Sequence, residues 1–243
     1  MIVKTEAIVL NSMKYGDSSK INKLYTLEHG MQTTLAKGAR AMNSRFGSAL
    51  EPVSHIQAAY YKKPSRSMYV LSGAEHSVPL RKIGTSIEHL SAAMLIIETI
   101  AATQQENDPN AELFTLSADS LLYLNTLPAN PFSVFVRFQL NFAKLQGFGM
   151  VFPDVDDDGI RYFSIESGTF TQIAAANGGG LVIKLKSETA ALLKLLNEGD
   201  LESTAGKGFS KEARDGMIRL FEGYFGYHFD KKISFKTYML LNY

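Results

Sequence analysis

The hydrophobic period of this 243-residue chain changes once, near residue 80, and that change restricts the folds open to it. From Ile2 to about Gly73 the apolar residues come in short groups bounded by Gly, Asn, Ser and Pro, the pattern of strands. "KTEAIVL", "INKLYTL", "MQTTLAKG", "HIQAAYYKK" and "SMYVLSG" are five candidate strands within about 75 residues. In the fourth, Ile56, Ala58 and Tyr60 share one face, and the fifth reads as its returning partner across Pro64 and Ser65. Five short strands in this length suit a small closed or partly open barrel.

Beyond Pro79 the period is helical. Ile87, Leu90, Met94 and Ile97 predict a first helix, and Asp108 as N-cap, Pro109 in first position and Glu112 in the first turn predict the start of a second. "PFSVFVRFQLNFAKLQGFG" predicts a third, with Phe135, Phe138, Phe142 and Leu145 on one side and Gly147 as its stop. Residues Phe152 to Leu181 interrupt the helices with "PDVDDDG", two short strand-like pieces and "NGGG". Helical patterns return at Ser187 to Asn197 and at Ser210 to Phe225, where Ala213, Met217, Leu220 and Tyr224 recur. The fold class is therefore α+β. A barrel domain over 1–80 precedes a mainly α-helical domain over 81–243, with a small β insertion at about 152–184.

The charge divides at the same place. Up to Lys82 there are 12 Lys and Arg against 5 acids, a balance of +7, so the remainder must carry −6 to give the net +1 of the whole. A basic first third points to a polyanionic partner. The cations Lys37, Arg40 and Arg45 stand in the turn-rich "LAKGARAMNSRFGSALEP", with no acid before Glu51, and Lys62, Lys63 and Arg66 flank the predicted hairpin. As loops between barrel strands these can meet phosphates, while Phe46, Tyr60, Tyr61 and Tyr69 offer rings either to bases or to the barrel core. The same basic barrel could instead take an acidic protein partner, as a scaffold would. A basic amphipathic membrane helix is not expected, because this third reads as strands.

Other chemistries lack parts. "KGARAMNSRFG" matches neither glycine-rich phosphate motif. "YGDSS", Tyr15 to Ser19, resembles an esterase nucleophile block, but no Asp-x-x-His occurs in the chain, so a turn is expected there. Asp154, Asp156, Asp158 and Gly159 begin a calcium-loop pattern that Ile165 fails to close, and an acidic solvated turn is expected. The five histidines have no metal-ligand spacing, and without cysteine neither disulfides nor thiolate metal sites can form. Ala7 to Leu10 is too short for a signal peptide, and the longest apolar run, Ala92 to Ile97, falls far short of the roughly 18 residues of a spanning helix. These features predict a soluble, intracellular protein with no cofactor and no metal. Arg137, between Val136 and Phe138 in an apolar helix, either packs against a neighbouring element or marks a pocket for a carboxylate.

Taken together, "AIVLNSMKYGDSSKINKLYTLEHGMQTTLAKGARAMNSRFGSALEPVSHIQAAYYKK", "NAELFTL", "RFQLNFAKLQGFG" and "FEGYFGYHFDKKISFKTYMLL" resemble the bacterial recombination mediator RecO family over most of the chain. The turn at Tyr15 to Ser18, "EHG", "AKGAR" and "GSALEP" carry the resemblance most specifically. It implies an N-terminal five-stranded OB-fold barrel and a helical domain. It also implies a non-enzymatic role in DNA repair: binding single- and double-stranded DNA, annealing complementary strands without ATP, and acting with RecR to load RecA on strands coated by single-strand binding protein (SSB). By the same comparison Lys37, Arg40, Arg45, Lys62, Lys63 and Arg66 would be DNA contacts and Arg137 would receive the SSB C-terminal tail, in a cytoplasmic, nucleoid-associated protein. Two departures stand out. Gln139 replaces an acid in the family's Arg-Phe-Glu-Leu segment, and the four zinc-binding cysteines of many members are missing, so the small sheet should be held by its own packing, with Tyr162, Phe163 and Phe170.

Overall fold

The computed structural model describes residues 1–63, 66–152, 160–171, 181–199 and 208–241. All five candidate strands of the first third form: β1 (Ile2–Tyr15), β2 (Ser19–Thr26), β3 (Gly30–Ala36), β4 (His55–Tyr61) and β5 (Met68–Val78). β1 is long enough to pair twice, its first half with β4 (Ile2 opposite Tyr61) and its second with β2 (Tyr15 opposite Ser19). A bulge between Val9 and Asn11 bends it from one partner to the other. The strands close in the order β1-β2-β3-β5-β4, all antiparallel except β3 with β5, where Leu35 lies opposite Val70. That order is the OB-fold.

Alternation along each strand fills the interior with Val3, Ala7, Val9, Leu24, Ala36, Ile56, Ala58, Tyr60, Tyr69 and Leu71. The connector between β3 and β4 adds Phe46, Ala49 and Leu50 to the same core. The segment with the basic residues is thus anchored from beneath by apolar side chains.

The chain divides into two compact units, Met1–Thr126 and Leu127–Tyr243. The first holds the barrel together with α1 (Ile87–Thr103) and α2 (Ala111–Leu124). The helix predicted from Ile87, Leu90, Met94 and Ile97 forms, and one expectation, the cap of α2, needs correction. α1 buries Ala92, Ala93, Leu95, Ile96, Ile97 and Ile100, whereas Ile87 is 66% exposed and Leu90 and Met94 are only half-buried. A helix apolar on several sides leaves the choice of face to its packing partners, which periodicity does not reveal. α2 is capped by Asn110, whose Oδ1 accepts the Leu113 N–H at 2.9 Å, and not by Asp108. Residues 106–108 are already engaged beside β3: Asn107 N–H donates to Met31 O at 3.2 Å, and Gln32 Nε2 donates to Asn107 Oδ1 at 3.2 Å. Phe114 of α2 meets the Tyr25 and His55 rings at 6.1 and 5.8 Å, and Tyr25 Oη donates to Asn110 O at 3.2 Å.

In the second unit α3 (Pro131–Leu145) buries Phe135, Phe138 and Phe142 as spaced, though Leu145, in its last turn, is 37% exposed. Gly147 ends it at φ +83°, where its N–H donates to Lys144 O and that of Phe148 to Ala143 O, both at 3.0 Å. Those are the paired bonds of a Schellman stop. The insertion holds β6 (Ile160–Ser164), β7 (Thr169–Thr171) and β8 (Val182–Lys186) in the order β7-β6-β8. The third strand, "VIKLK", abuts α4 (Ser187–Glu198) directly. α5 (Lys211–His228) buries Ala213, Met217, Leu220 and Tyr224, and α6 (Lys236–Leu241) follows. Phe163 packs on Phe170 at 4.9 Å and on Tyr224 at 5.1 Å, while Tyr162 is half-buried, so aromatic contacts of α5 and the sheet hold the insertion. The Asp154 to Asp158 turn and "NGGG" lie outside the described residues. Among the described residues no helix is long and apolar enough to cross a membrane, and no three His, Asp or Glu side chains could hold a metal ion together.

Candidate nucleic-acid interface

The six cations of the first third occupy two places. Lys37, Arg40 and Arg45 belong to the β3–β4 connector, which begins where β3 ends at Ala36. Arg40 is fixed to the β1–β2 turn: its N–H donates to Ser18 O at 2.8 Å and its Nη1 to Gly16 O at 3.0 Å. "YGDSS" is accordingly a strand-joining turn, with Gly16 at φ +55°. Arg45 lies over the Phe46 ring at 5.0 Å, a cation-π contact whose ring is sunk in the barrel.

Lys62, Lys63 and Arg66 belong to the β4–β5 connector, at the start of β5. Because β3 and β5 run parallel, the end of β3 and the start of β5 lie at opposite ends of their pairing. The two basic groups are therefore separated along the barrel, one by the β1–β2 turn and one at the β4–β5 connector. Those are the two loops that flank the oligonucleotide face of OB-folds. Lys37, Arg40, Arg45, Lys63 and Arg66 are exposed, Lys62 is half-buried, and none of the six makes an ion pair among the described residues. Their charge is left available to an external anion.

Of the four candidate rings, three are packing residues: Phe46, Tyr60 and Tyr69 are buried, and Tyr60 stacks on Tyr69 at 5.5 Å. Burial first, then the neighbouring Tyr69 and Glu28, pushes the Tyr60 hydroxyl well above the usual phenol range. Tyr61, the next residue, points out and is 47% exposed. With Lys63, Arg66, Met68 and Val70 it lines an open hollow of about 290 Å³. Strand parity decides which tyrosine is outside, and sequence alone left that open because both neighbours are aromatic.

A second hollow of about 310 Å³, absent from the sequence reading, lies by Val53, Pro79, Leu80 and Ile83, with Ser48 Oγ 3.1 Å from His76 Nε2. Among the described residues no carboxylate orients the other nitrogen of His76, so the pair is not a hydrolytic triad.

Arg137 of α3 is half-buried and pairs with no acid among the described residues. Its Nη1 donates to Leu196 O at 2.9 Å and to Gly199 O, carbonyls at the C-terminal end of α4. Lys144, two turns on, donates to Asn197 O at 3.4 Å. Two cations of α3 thus cap α4, where carbonyls lack helical partners and the helix dipole is negative.

A closed five-stranded barrel of this order, with cations on the β4–β5 connector and on the β3–β4 connector beside the β1–β2 turn, none of them in an ion pair among the described residues, defines an OB-fold protein. The family model for the N-terminal part of recombination protein O matches residues 1–78, and that for its C-terminal part matches residues 84–236. The DNA repair protein RecO of Salinibacter ruber is 30% identical over 94% of this chain and 89% of its own length. That of Chloroherpeton thalassium is 28% identical over 100% of this chain and 98% of its own length, and that of Bacillus subtilis 25% over 93% and 89%. The chain belongs to the RecO family, whose role lies in DNA repair and recombination.

Proposed function

We propose that this protein is a recombination mediator that binds single- and double-stranded DNA on its barrel and anneals complementary strands without ATP. The observation that carries the reading is the set of six cations without an ion pair among the described residues: Lys62, Lys63 and Arg66 on the β4–β5 connector, and Lys37, Arg40 and Arg45 on the β3–β4 connector, where Arg40 is bonded to the β1–β2 turn. Cations of this kind hold phosphates whatever the base sequence, and neutralising two backbones lowers the repulsion between them. No bond is broken in such a step, so no enzyme activity is proposed.

In the same reading the protein works with RecR to load RecA on SSB-coated strands, in the cytoplasm and at the nucleoid. Arg137 is proposed to receive the SSB tail. Its two α4 bonds use Nη1, and Nε and Nη2 have no partner among the described residues, so the guanidinium retains donors for a terminal carboxylate.

The test is annealing of complementary oligonucleotides coated with the cognate SSB, without nucleotide. Acceleration that disappears when SSB lacks its tail supports the DNA and tail assignments together. If about five phosphates are neutralised, duplex affinity should fall with salt at a log–log slope of roughly −4 to −5. No acceleration of coated or bare strands at low salt would reject the reading and favour an acidic protein partner for the barrel.

A further inference from the structure

The hollow beside Val53 serves neither the DNA reading nor the SSB-tail reading, and none of the six cations lines it. It lies where β4 begins and β5 ends, with His55 opposite Val78. Lys62, Lys63 and Arg66 belong to the other end of the same pair, where Tyr61 lies opposite Val70. Roughly six residues of strand, about 20 Å, separate the two ends.

The floor of the hollow is built on a forced backbone. Val53 N–H donates to Val9 O and Val9 N–H to Ser54 O, both at 2.9 Å, so residues 53 and 54 are clamped to β1 at its bulge. The clamp holds Val53 at φ +74°, a left-handed conformation that a β-branched residue ordinarily avoids. Strain of this kind persists only where the surroundings over-determine it, and it gathers at ligand sites. Val53 is buried but is not among the residues that fill the barrel. It lines the hollow together with the buried Ile83, from the single 3₁₀ turn Ile83–Thr85, and with Pro79, Leu80 and Leu90.

The polar groups of the lining decide what it can hold. Ser48 Oγ and His76 Nε2, 3.1 Å apart, satisfy each other, and Glu51 Oε1 already accepts from Lys20 Nζ at 2.8 Å. Arg81 is exposed and makes no ion pair among the described residues. An unpaired cation beside a spent acid favours a single negative charge, since a polyanion would meet Glu51 as well. The apolar floor offers nothing to a small, strongly hydrated anion and favours an apolar body behind the charge. At about 310 Å³ the hollow stands at the low end of small-molecule sites, with room for one ring or a short aliphatic chain. We propose that this hollow binds a small organic monocarboxylate, its apolar body on Val53, Ile83 and Leu90 and its carboxylate on the Arg81 guanidinium, whose parallel N–H donors match the two oxygens.

The test titrates the full chain with phenylacetate, phenylacetamide and inorganic phosphate and follows the backbone amides by NMR. Phenylacetate is expected to shift amides of Ser48–Ser54 and Pro79–Gly84 saturably, and phenylacetamide to bind the same place about three- to fivefold more weakly, the margin of one exposed ion pair. Arg81→Ala should lower phenylacetate to the affinity of the amide while leaving the amide within about twofold, and Gly84→Leu, which fills the hollow, should abolish both. Arg81 is exposed and a Cβ at Gly84 meets nothing within 4 Å, so both variants keep the fold. Phosphate binding as well as phenylacetate would reduce the site to a bare cation and overturn the proposal. Equal binding of acid and amide, or a phenylacetate affinity that survives Arg81→Ala, would overturn the carboxylate contact, and no saturable shift up to about 10 mM would overturn the site itself. None of these outcomes bears on the DNA reading.

Discussion

The Tyr60 ring lies nearly parallel to that of Tyr69 inside the barrel, with 15° between their planes. Its hydroxyl is buried with no hydrogen-bond partner among the described residues. A buried hydroxyl without a partner costs about 1–3 kcal/mol, and Phe keeps the ring while removing the cost. Tyr60→Phe should therefore leave the barrel as stable or raise its unfolding free energy by about 1 kcal/mol in urea titration. A clear drop in stability would mean that the hydroxyl is bonded in solution.

Gly30 opens β3 at φ +64°, and a Cβ there would stand 2.3 Å from Asp108 O and 2.5 Å from its carbonyl carbon. Backbone cannot yield as a flexible side chain would, so Gly30→Ala must push residues 106–108 off the strand as well as strain its own φ. Gly38, at φ +69° with nothing within 4 Å, isolates the strain alone. Gly38→Ala should cost about 1–2 kcal/mol and Gly30→Ala more, with exchange of the Asn107 amide accelerated only in the latter. Equal costs would contradict the close approach.

Removing Arg137 takes two donors from the C-terminal carbonyls of α4. Arg137→Ala is expected to lower the stability of the second unit by about 1–3 kcal/mol, and Arg137→Lys by less. Any loss of SSB-tail binding in Arg137→Ala has therefore to be read beside its melting curve. Lys144→Ala, which loosens the same end of α4, supplies the control. An unchanged melting curve for Arg137→Ala would show that the cap contributes nothing.

His228 lies parallel to Phe148 with ring centroids 4.2 Å apart, and Tyr224 meets it edge-on at 4.5 Å. Burial holds its pKa below the ordinary 6.5, only partly offset by a backbone hydrogen bond with Ile165. His29 is lowered too, by burial and then by Lys62, against Glu28. An unfolded chain takes up protons at these sites as pH falls through about 6.5 while the native state refuses them, so stability falls with pH over that window and levels off below the native pKa values. His228→Phe should flatten the decline between pH 7.5 and 5.5. A decline of unchanged steepness would remove His228 as its source.

Most of the architecture was legible along the chain because the relevant signals are local. The five strands, the stop at Gly147 and the buried faces of α3 and α5 follow from alternation, turn residues and spacing over a few positions. The candidate cations were legible for the same reason, since charge without nearby acid is visible in one dimension. Errors arose where a partner distant in sequence chose among local options. Residues 106–108 were taken up by β3, which moved the α2 cap to Asn110. Arg137 could have met an acid or a pocket, and only the packing of α3 against α4 put helix carbonyls before it. By itself the sequence determined which segments become strand or helix and where positive charge concentrates, because those depend on neighbours along the chain. Tertiary structure alone decided that Tyr60 turns in and Tyr61 out, because register joins residues through hydrogen bonds between strands far apart in sequence.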